Sequence, residues 1–342
     1  MASAPIAPRL EDVAKAAGVS TATVSRCLNT PQKVSEKTRA KVMHAVDQLG
    51  YTPHFGARVM AVNRSFIIGA IVPTMENAIF ARGLQALQEA LSDMGYTLLV
   101  SSSSYSPRIE AAQIRSLIGR GADGLFLIGQ DRDPDVYTFL QNRRVPTVLT
   151  WNFAQDSPFP YVGFDNRRAA YDVAQAVCLR GHRDIAIVSA ATFDNDRARH
   201  RVEGFHQALR DTGLEPCSVP VIETTYSIES GGRAFEALMR HAHPPTAILC
   251  GNDVLAAGVI KRASEMGIDI PTRVSVTGFD DIELAQVITP RLTTVHVPHR
   301  RMGNIAARTL VEMIEGTHDG GSVCLDTSLM LRLSLGPAPS HA

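Results

Sequence analysis

Cysteine is scarce in this sequence and scattered along it. The five cysteines are odd in number in a chain of 342 residues: Cys27, Cys178, Cys217, Cys250 and Cys324. No Cys-x-x-Cys pair occurs, and the histidines of HAH (241–243) and HVPH (296–299) have no cysteine or carboxylate cluster nearby. This spacing excludes a zinc site of the usual pattern. We therefore expect reduced, mostly buried thiols, solvated or capping histidines, and neither metal nor cofactor.

Long apolar runs are absent as well. No stretch approaches the roughly 18 apolar residues of a membrane span, and residues 1–10 have neither a basic start nor an apolar signal core. We therefore expect a cytoplasmic protein. What is present is typical of a folded chain, because 45 % of the residues are hydrophobic and 20 % are charged. The length allows two or three domains.

The sequence has no net charge, but its charges are unevenly distributed. Residues 1–64 contain nine Lys or Arg and four Asp or Glu, a net charge of +5. The remaining 25 basic and 30 acidic residues give −5. A basic head on an acidic body indicates that the head contacts a polyanion.

Residues 10–50 repeat apolar residues at helical spacing in three short bursts. Gly18 ends the first, and Ser20 and Ser35 stand where they would cap the second and third. The predicted inner faces are Val13, Ala14 and Ala17; then Thr23, Val24, Cys27 and Leu28; then Val42, Met43, Val46 and Leu49. The second helix keeps a small, polar outer face with one arginine: Thr21, Ala22, Ser25 and Arg26.

Two short helices joined by a tight glycine turn, with a packing helix after them, describe a helix-turn-helix unit. In such a unit the second helix enters the DNA major groove. An ordinary three-helix bundle with a solvated face explains the periodicity equally well, but it leaves the +5 charge unexplained. The charge therefore favours DNA binding.

The motifs LEDVAKAAGVSTATVSRCLN, KVSEKTRAKV and LGYTPHFGARVM resemble the headpiece of the lactose/purine repressor (LacI-type) family. The resemblance implies that Thr21, Ala22 and Arg26 read bases, and Arg26 is suited to a bidentate contact with guanine. Further hydroxyl and amide groups would position the unit on phosphates, with helix capping as the alternative role. These are Ser20, Thr23, Ser25, Asn29, Ser35 and Thr38.

Residues 53–64 lie where this family has a hinge helix, which folds on DNA and wedges an apolar side chain into the minor groove. The family usually has leucine at the wedge, whereas this chain has Met60, which is flexible enough to insert. Gly56 lowers helix propensity by about 1 kcal/mol relative to alanine, so ordering would depend more on DNA. The predicted contacts are His54, Ala57, Arg58 and Met60.

From residue 66 onward, β-branched apolar runs alternate with amphipathic stretches. The runs are FIIGAIV, YTLLV, GLFLI, TVLT, DIAIV, VPVIE, TAILC and VSVTG. This alternation predicts an α/β fold with parallel sheets covered by helices. The series restarts after Phe164, which predicts two lobes with a ligand cleft at the carboxyl ends of their strands.

This part resembles the periplasmic-binding-protein type I core that follows the headpiece in the same family. The motifs are GFDNRRAA, RGHRDIAIVS, RHRVEGFHQAL, AILCGNDVLAAG, VSVTGFDDIELAQVITPRLTTV and RMGNIAARTLVEMIEG. The implied organisation is a headpiece at 8–52, a hinge or linker at 53–64, and an effector-binding and dimerisation domain at 65–338. Its lobes would comprise 65–163 with 296–326, and 164–295 with 327–338.

The resemblance also implies an effector pocket, formed by Asn77, Phe80, Trp151, Phe164, Arg201, Asn252 and Asp280. The aromatics would line apolar walls, and Arg201, Asn252 and Asp280 would bind hydroxyls or a carboxylate. A core aromatic is the alternative for Trp151, and helix capping is the alternative for Asn252 and Asp280. Asp253 and Asp281 are expected to cap the first turns of helices. The set favours a sugar or sugar acid over a purine.

The predicted function is a sequence-specific transcriptional regulator, a repressor, that binds a pseudo-palindromic operator in double-stranded DNA as a homodimer. An effector in the cleft would change the spacing of the hinges. The dimer surface would include the helix near 79–94. A solute-binding protein and a regulator responding to a purine or sugar phosphate are the alternatives. No nucleotide-binding glycine motif or Gly-x-Ser-x-Gly elbow supports an enzyme, and the serines at 101–104 are read as loop or cleft lining.

Overall fold

The computed structural model describes residues 8–51, 64–76, 78–155, 157–215 and 219–339. The chain forms two compact units, Met1–Ser65 and Phe66–Ala342. Five predicted site residues lie outside the described residues: His54, Ala57, Arg58, Met60 and Asn77. The side chain of Asn29 is also outside them.

The first unit contains the three predicted helices, α1 (Leu10–Ala17), α2 (Thr21–Asn29) and α3 (Glu36–Leu49), with a 3₁₀ turn at Pro31–Lys33. The Ser20 hydroxyl accepts a hydrogen bond from the Thr23 amide at 3.2 Å, and Ser35 accepts one from Thr38 at 3.4 Å. Gly18, at φ 65°, ends α1 in the left-handed conformation that favours glycine. The predicted caps are therefore confirmed.

The core of this unit differs from the prediction in α3. Val42 and Ala45 are buried, whereas Met43 is 41 % exposed and Leu49 is 38 % exposed. Met43 lies about 100° around the helix from Val42, because each residue advances that far in a 3.6-residue turn. The inner stripe therefore runs through Val42 and Ala45, and Tyr51 covers its end.

The second unit begins with a six-stranded parallel sheet in the order β11-β5-β4-β3-β1-β2. Its strands and covering helices are β1 (Ile67–Val72), α4 (Ala78–Asp93), β2 (Thr97–Ser102), α5 (Pro107–Gly119), β3 (Gly124–Ile128), α6 (Pro134–Asn142), β4 (Thr147–Thr150), β5 (Tyr161–Gly163), α12 (His299–Glu315) and β11 (Val323–Cys324).

A four-stranded parallel sheet follows, in the order β7-β6-β8-β9. Its elements are α7 (Asn166–Cys178), β6 (Ile185–Ala190), α8 (Asp196–Asp211), β7 (Val221–Thr224), α9 (Ile228–Met239), β8 (Ala247–Cys250), α10 (Asp253–Glu265), β9 (Ser275–Thr277) and α11 (Leu284–Val287). β10 (Thr294–His296) and β12 (Ser328–Met330) form a separate antiparallel pair.

The predicted α/β class with parallel sheets is confirmed, and each of the eight predicted runs contains a strand. β5, β10, β11 and β12 were not predicted, because two or three residues carry no periodicity. None of the described helices is long and apolar enough to cross a membrane.

Candidate functional site

The outer face of α2 presents the predicted base-reading residues. Thr21, Ala22 and Arg26 are exposed, whereas Val24 and Cys27 on the opposite face are buried in the core of the unit. The 3.6-residue period places the exposed residues on one side of the helix. Small side chains beside one arginine allow the helix backbone to approach base edges closely while the guanidinium reaches further.

The predicted phosphate contacts form two capping pairs in this structure. Ser20 and Thr23 lie 2.9 Å apart through their hydroxyl oxygens, as do Ser35 and Thr38. A hydroxyl that accepts a capping bond keeps a second lone pair and a rotatable proton, so capping and phosphate contact are compatible. Exposed cations follow on the 3₁₀ turn and α3: Lys33, Lys37, Arg39 and Lys41.

In the second unit, cavities lie where the loops after the strands of the two sheets meet. One cavity of about 560 Å³ is lined from the first lobe by Thr74 and Glu76 and from the second by Ile282 and Glu283. Another of about 400 Å³ lies between Ser104 and the loop after β6. Together they form the cleft at the carboxyl ends of the parallel strands, where this architecture binds ligands.

Two tyrosines divide this cleft. Tyr105 follows β2 in the first lobe and Tyr226 follows β7 in the second, and their ring centroids are 6.2 Å apart with the planes tilted by 45°. Both residues line both of the larger cavities. Sequence reasoning missed this pair, although the serine run before Tyr105 was read as loop or cleft lining and Ser104 does line the cavities.

Backbone strain is concentrated at the same strand ends. Eight described non-glycine residues have positive φ, and six of them follow strands β2, β4, β6 or β9: Ser104, Tyr105, Trp151, Asp194, Asp280 and Asp281. Such conformations cost about 1–3 kcal/mol each and cluster at functional sites. The strain is an indication of function that is independent of the cavities.

Arg201 lies on α8, which begins in the cleft, and it is almost completely buried. Its guanidinium donates to the Asn166 side-chain oxygen at 2.9 Å and to the Gly251 carbonyl at 2.6 Å. It also pairs with Asp280 at 3.3 Å and lies 3.8 Å above the Phe279 ring. The arginine is therefore held rigidly, and its charge is balanced by Asp280.

Several buried polar atoms around Arg201 have no hydrogen-bond partner among the described residues. They are Trp151 Nε1, Asn252 Nδ2, Asp280 Oδ2 and His299 Nδ1. Buried polar atoms are nearly always satisfied, and an orphaned atom calls for a partner such as a ligand or water. Predicted pocket residues thus supply three of these four atoms.

Capping explains Asn252 in part and does not explain Asp280. The Asn252 carbonyl oxygen accepts from the Leu255 amide at 2.9 Å, which confirms the cap of α10. Asp280 begins no helix; its φ is 102° and its amide donates to the Val295 carbonyl at 2.9 Å. The capping alternative is therefore wrong for Asp280.

The predicted aromatic walls lie deeper than expected. Phe80, Trp151 and Phe164 are buried and line neither of the larger cavities. Trp151 packs edge-on against Phe80 at 5.4 Å and stacks on His299 at 5.8 Å. In this structure Trp151 is a core aromatic, and its contact with an effector stays a prediction.

The remaining expectations for Asp253, Asp281 and His299 are wrong, because tertiary contacts take these side chains. Asp253 accepts from the Ile282 amide at 2.8 Å and from Thr294 at 2.5 Å. Burial, with Asp280 and Asp281 nearby, raises the pKa of Asp253 well above its usual range. Asp281 pairs with Arg332 at 2.6 Å, and His299 is buried rather than solvated.

A polar network joins the loop after β3 to the start of α8. The Asp196 carboxylate accepts hydrogen bonds from the Gln130 amide and the Asn152 side chain, both at 2.7 Å, and pairs with Arg197 at 2.7 Å. Burial alone would raise the pKa of Asp196, but Arg197 and these bonds outweigh burial and hold it below its usual value. The network ties the two lobes together.

Comparison with known proteins gives the class. Residues 9–54 match the lacI family of bacterial regulatory proteins, and residues 174–335 match the periplasmic binding protein-like domain. The HTH-type transcriptional repressor CytR of Escherichia coli (strain K12) is 32 % identical over 334 residues, covering 97 % of this chain and 98 % of that protein. The chain belongs to the lacI family of bacterial regulatory proteins.

Two further comparisons agree. Catabolite control protein A of Priestia megaterium is 31 % identical over 324 residues, covering 94 % of this chain and 98 % of that protein. The crystal structure of the lac repressor dimer bound to operator and the anti-inducer ONPF aligns with a TM-score of 0.86 at 26 % identity, over 97 % of this chain and 100 % of that one. The protein is a DNA-binding transcriptional regulator and not an enzyme.

Proposed function

We propose that this chain is a dimeric repressor whose affinity for operator DNA is controlled by a small molecule bound between the two lobes of the second unit. The observation that carries the proposal is a cleft in which strained residues and unpartnered buried polar atoms meet. The chain also carries an exposed recognition face on α2. The proposal places the protein in the cytoplasm, where its operator DNA would be.

On the DNA side, Arg26 would contact guanine O6 and N7, and Thr21 and Ala22 would approach neighbouring base edges. The two capping pairs and the amide of Asn29 would hold α2 on the phosphates. Residues 53–64 would insert Met60 into the minor groove, with His54, Ala57 and Arg58 beside it. One headpiece offers few phosphate contacts, so two would be needed for tight binding, and α4 would contribute to the dimer surface.

On the effector side, Asp280 and Asn252 would bind ligand hydroxyls through their unpartnered atoms, and Arg201 would orient Asp280. Asn77 would contribute from the first lobe, and Phe80, Trp151 and Phe164 would support the site from below. The structure of the transcriptional regulator CelR–cellobiose complex, at 27 % identity and a TM-score of 0.70 or just under (0.69), supports an effector that contains a sugar. Closure of the lobes on the ligand would then alter the spacing of the two hinges.

The DNA assignment is tested by selecting operator sequences from random DNA with the full-length protein and measuring binding by fluorescence anisotropy. Arg26→Ala should weaken binding to the selected sequence by about 10- to 100-fold, corresponding to the loss of about 1–3 kcal/mol from one bidentate base contact. Binding to unrelated DNA should change far less. Gln48→Ala, an exposed change on α3, is the control. Equal affinity and unchanged sequence preference in the arginine variant would refute the base-reading assignment.

A further inference from the structure

The smaller of the two large cavities has aromatic walls. Tyr105, Tyr226 and Phe193 line it, and Phe193 is 83 % exposed on the loop between β6 and α8. We call this space of about 400 Å³ the aromatic cavity. An aromatic ring that remains so exposed beside two others gains contact area when a flat ligand fills the space.

The two tyrosines present faces and not charges. Desolvation in the cleft raises the pKa of both phenols, so both remain neutral at physiological pH. Their centroids, 6.2 Å apart, are within the usual range for interacting aromatic rings. Because Tyr105 and Tyr226 come from opposite lobes, a ring stacked on either one would also bear on lobe closure.

The charges around the cleft disfavour anions. Each buried guanidinium has a carboxylate partner: Arg201 with Asp280 at 3.3 Å and Arg197 with Asp196 at 2.7 Å. At the cavity walls, Asp194 and Glu76 are exposed and form no ion pair within the described ranges. The cleft therefore offers carboxylate acceptors and no free cation to a ligand.

The arrangement suits a ligand of two parts. Asp194 beside the aromatic cavity is a hydrogen-bond acceptor for an N–H group on a flat ring. The adjoining cavity of about 560 Å³ shares the two tyrosines and has room for a polyol. A sugar alone would leave the aromatic cavity unfilled, and a sugar acid or phosphate would meet Asp194 or Glu76.

We propose that the effector is an uncharged nucleoside-type compound, in which a flat heteroaromatic ring with an N–H donor occupies the aromatic cavity and a sugar occupies the adjoining space. The inference rests on the proposed effector function of the cleft. It narrows that function to one chemical class and assigns Asp194 and Glu76 the exclusion of phosphorylated and carboxylated relatives.

The test is calorimetric titration of the full-length protein with matched probes. Adenosine and cytidine carry an exocyclic amine; inosine and uridine do not; ribose lacks the ring; adenosine 5′-monophosphate adds charge; gluconate is a sugar acid. At least one nucleoside should bind at least tenfold more tightly than ribose, gluconate and its own monophosphate. The member of each pair with the amine should bind more tightly.

Variants locate the site. Tyr226→Ala and Tyr105→Ala should each weaken nucleoside binding at least tenfold, whereas Tyr226→Phe, which keeps the ring, should bind as the parent does. Asp194→Asn should narrow the preference for the nucleoside over its monophosphate. Leu179→Ala, at an exposed position away from the cleft, is the control.

The outcomes separate this inference from the proposed function. Tighter binding of ribose or gluconate than of any nucleoside, with Tyr226→Ala unchanged, would overturn the ligand class while leaving an effector cleft in place. Failure of every nucleoside to bind would also overturn it. The repressor function is judged separately, by the operator selection with Arg26→Ala.

Discussion

Arg199 holds Asp131 through two parallel hydrogen bonds of 2.8 Å, and the two residues belong to opposite lobes of the cleft. The loop that carries Asp131 is itself anchored, because the buried Arg132 donates to the carbonyls of Gly129 at 2.6 Å and Ile128 at 2.9 Å. Arg132 also pairs with Glu110 at 3.0 Å. A rigid loop of the first lobe is thus fastened to α8 of the second, directly behind the tyrosine pair.

Asp131→Asn should loosen the closed form of the lobes. The pair is partly exposed, so we expect a few-fold loss of effector affinity and not an abolished response. A ligand that binds the closed form pays for closure that the pair no longer favours. Titration calorimetry measures the effect. Asp172→Asn, which breaks an exposed pair with Arg168 within α7, is the control, and equal losses in both variants would contradict a role in closure.

Arg201→Ala should remove the effector response and lower stability. The change leaves the Asp280 carboxylate buried without its charged partner, which typically costs about 3–5 kcal/mol. Asp280→Asn should be milder in stability, because the amide still accepts a hydrogen bond from Arg201. Chemical denaturation gives the stability, and operator release upon effector addition gives the response. An intact response and operator affinity in Arg201→Ala would show that the pocket assignment is wrong.

The buried His299 should make the protein sensitive to acid. Burial lowers its pKa from 6.5 to about 4, against the opposing pull of Asp280. The unfolded chain therefore binds a proton before the folded one does, and stability falls as pH drops from about 6.5 to 4, by about 3 kcal/mol in total.

His299→Gln should lack that part of the pH dependence, while His243→Gln, at an exposed site, should keep it. Asp253 acts in the opposite direction: its pKa is raised, so its contribution is greatest at low pH and is lost as pH rises. The comparison between the two histidine variants cancels this term. Parallel melting curves across pH 4–8 for both variants would exclude His299 as the source.

Gly83→Ala should disturb the single tryptophan of the chain. A Cβ at Gly83 would overlap the Trp151 ring, which is fully buried between α4 and the first sheet. Overpacking of this kind costs about 1–3 kcal/mol and shifts neighbouring side chains. We expect a red-shifted tryptophan emission and a lower melting temperature. Gly119→Ala on α5 is the control, since a Cβ there meets nothing within 4 Å, and identical spectra for both variants would argue against the overlap.

Local signals accounted for the headpiece and most strands. Ser20 and Ser35 cap their helices through bonds to residues three positions later, so the sequence alone contains both partners. The eight long strand runs are likewise visible because burial on both faces makes them continuously apolar. Met43 failed because a stripe drawn one residue too wide looks the same in a short helix.

The family, the two-unit organisation and the role of α2 were determined by the sequence itself, because helical period, capping and charge are local or summed properties of the chain. The tertiary structure alone decided the chemistry of the cleft. Arg201 is neutralised by Asp280, and Tyr105 meets Tyr226, only because the topology brings distant strand ends to one edge. Side chains so far apart in sequence carry no pattern that records their contact, since the fold sets the distance between them and no local period does.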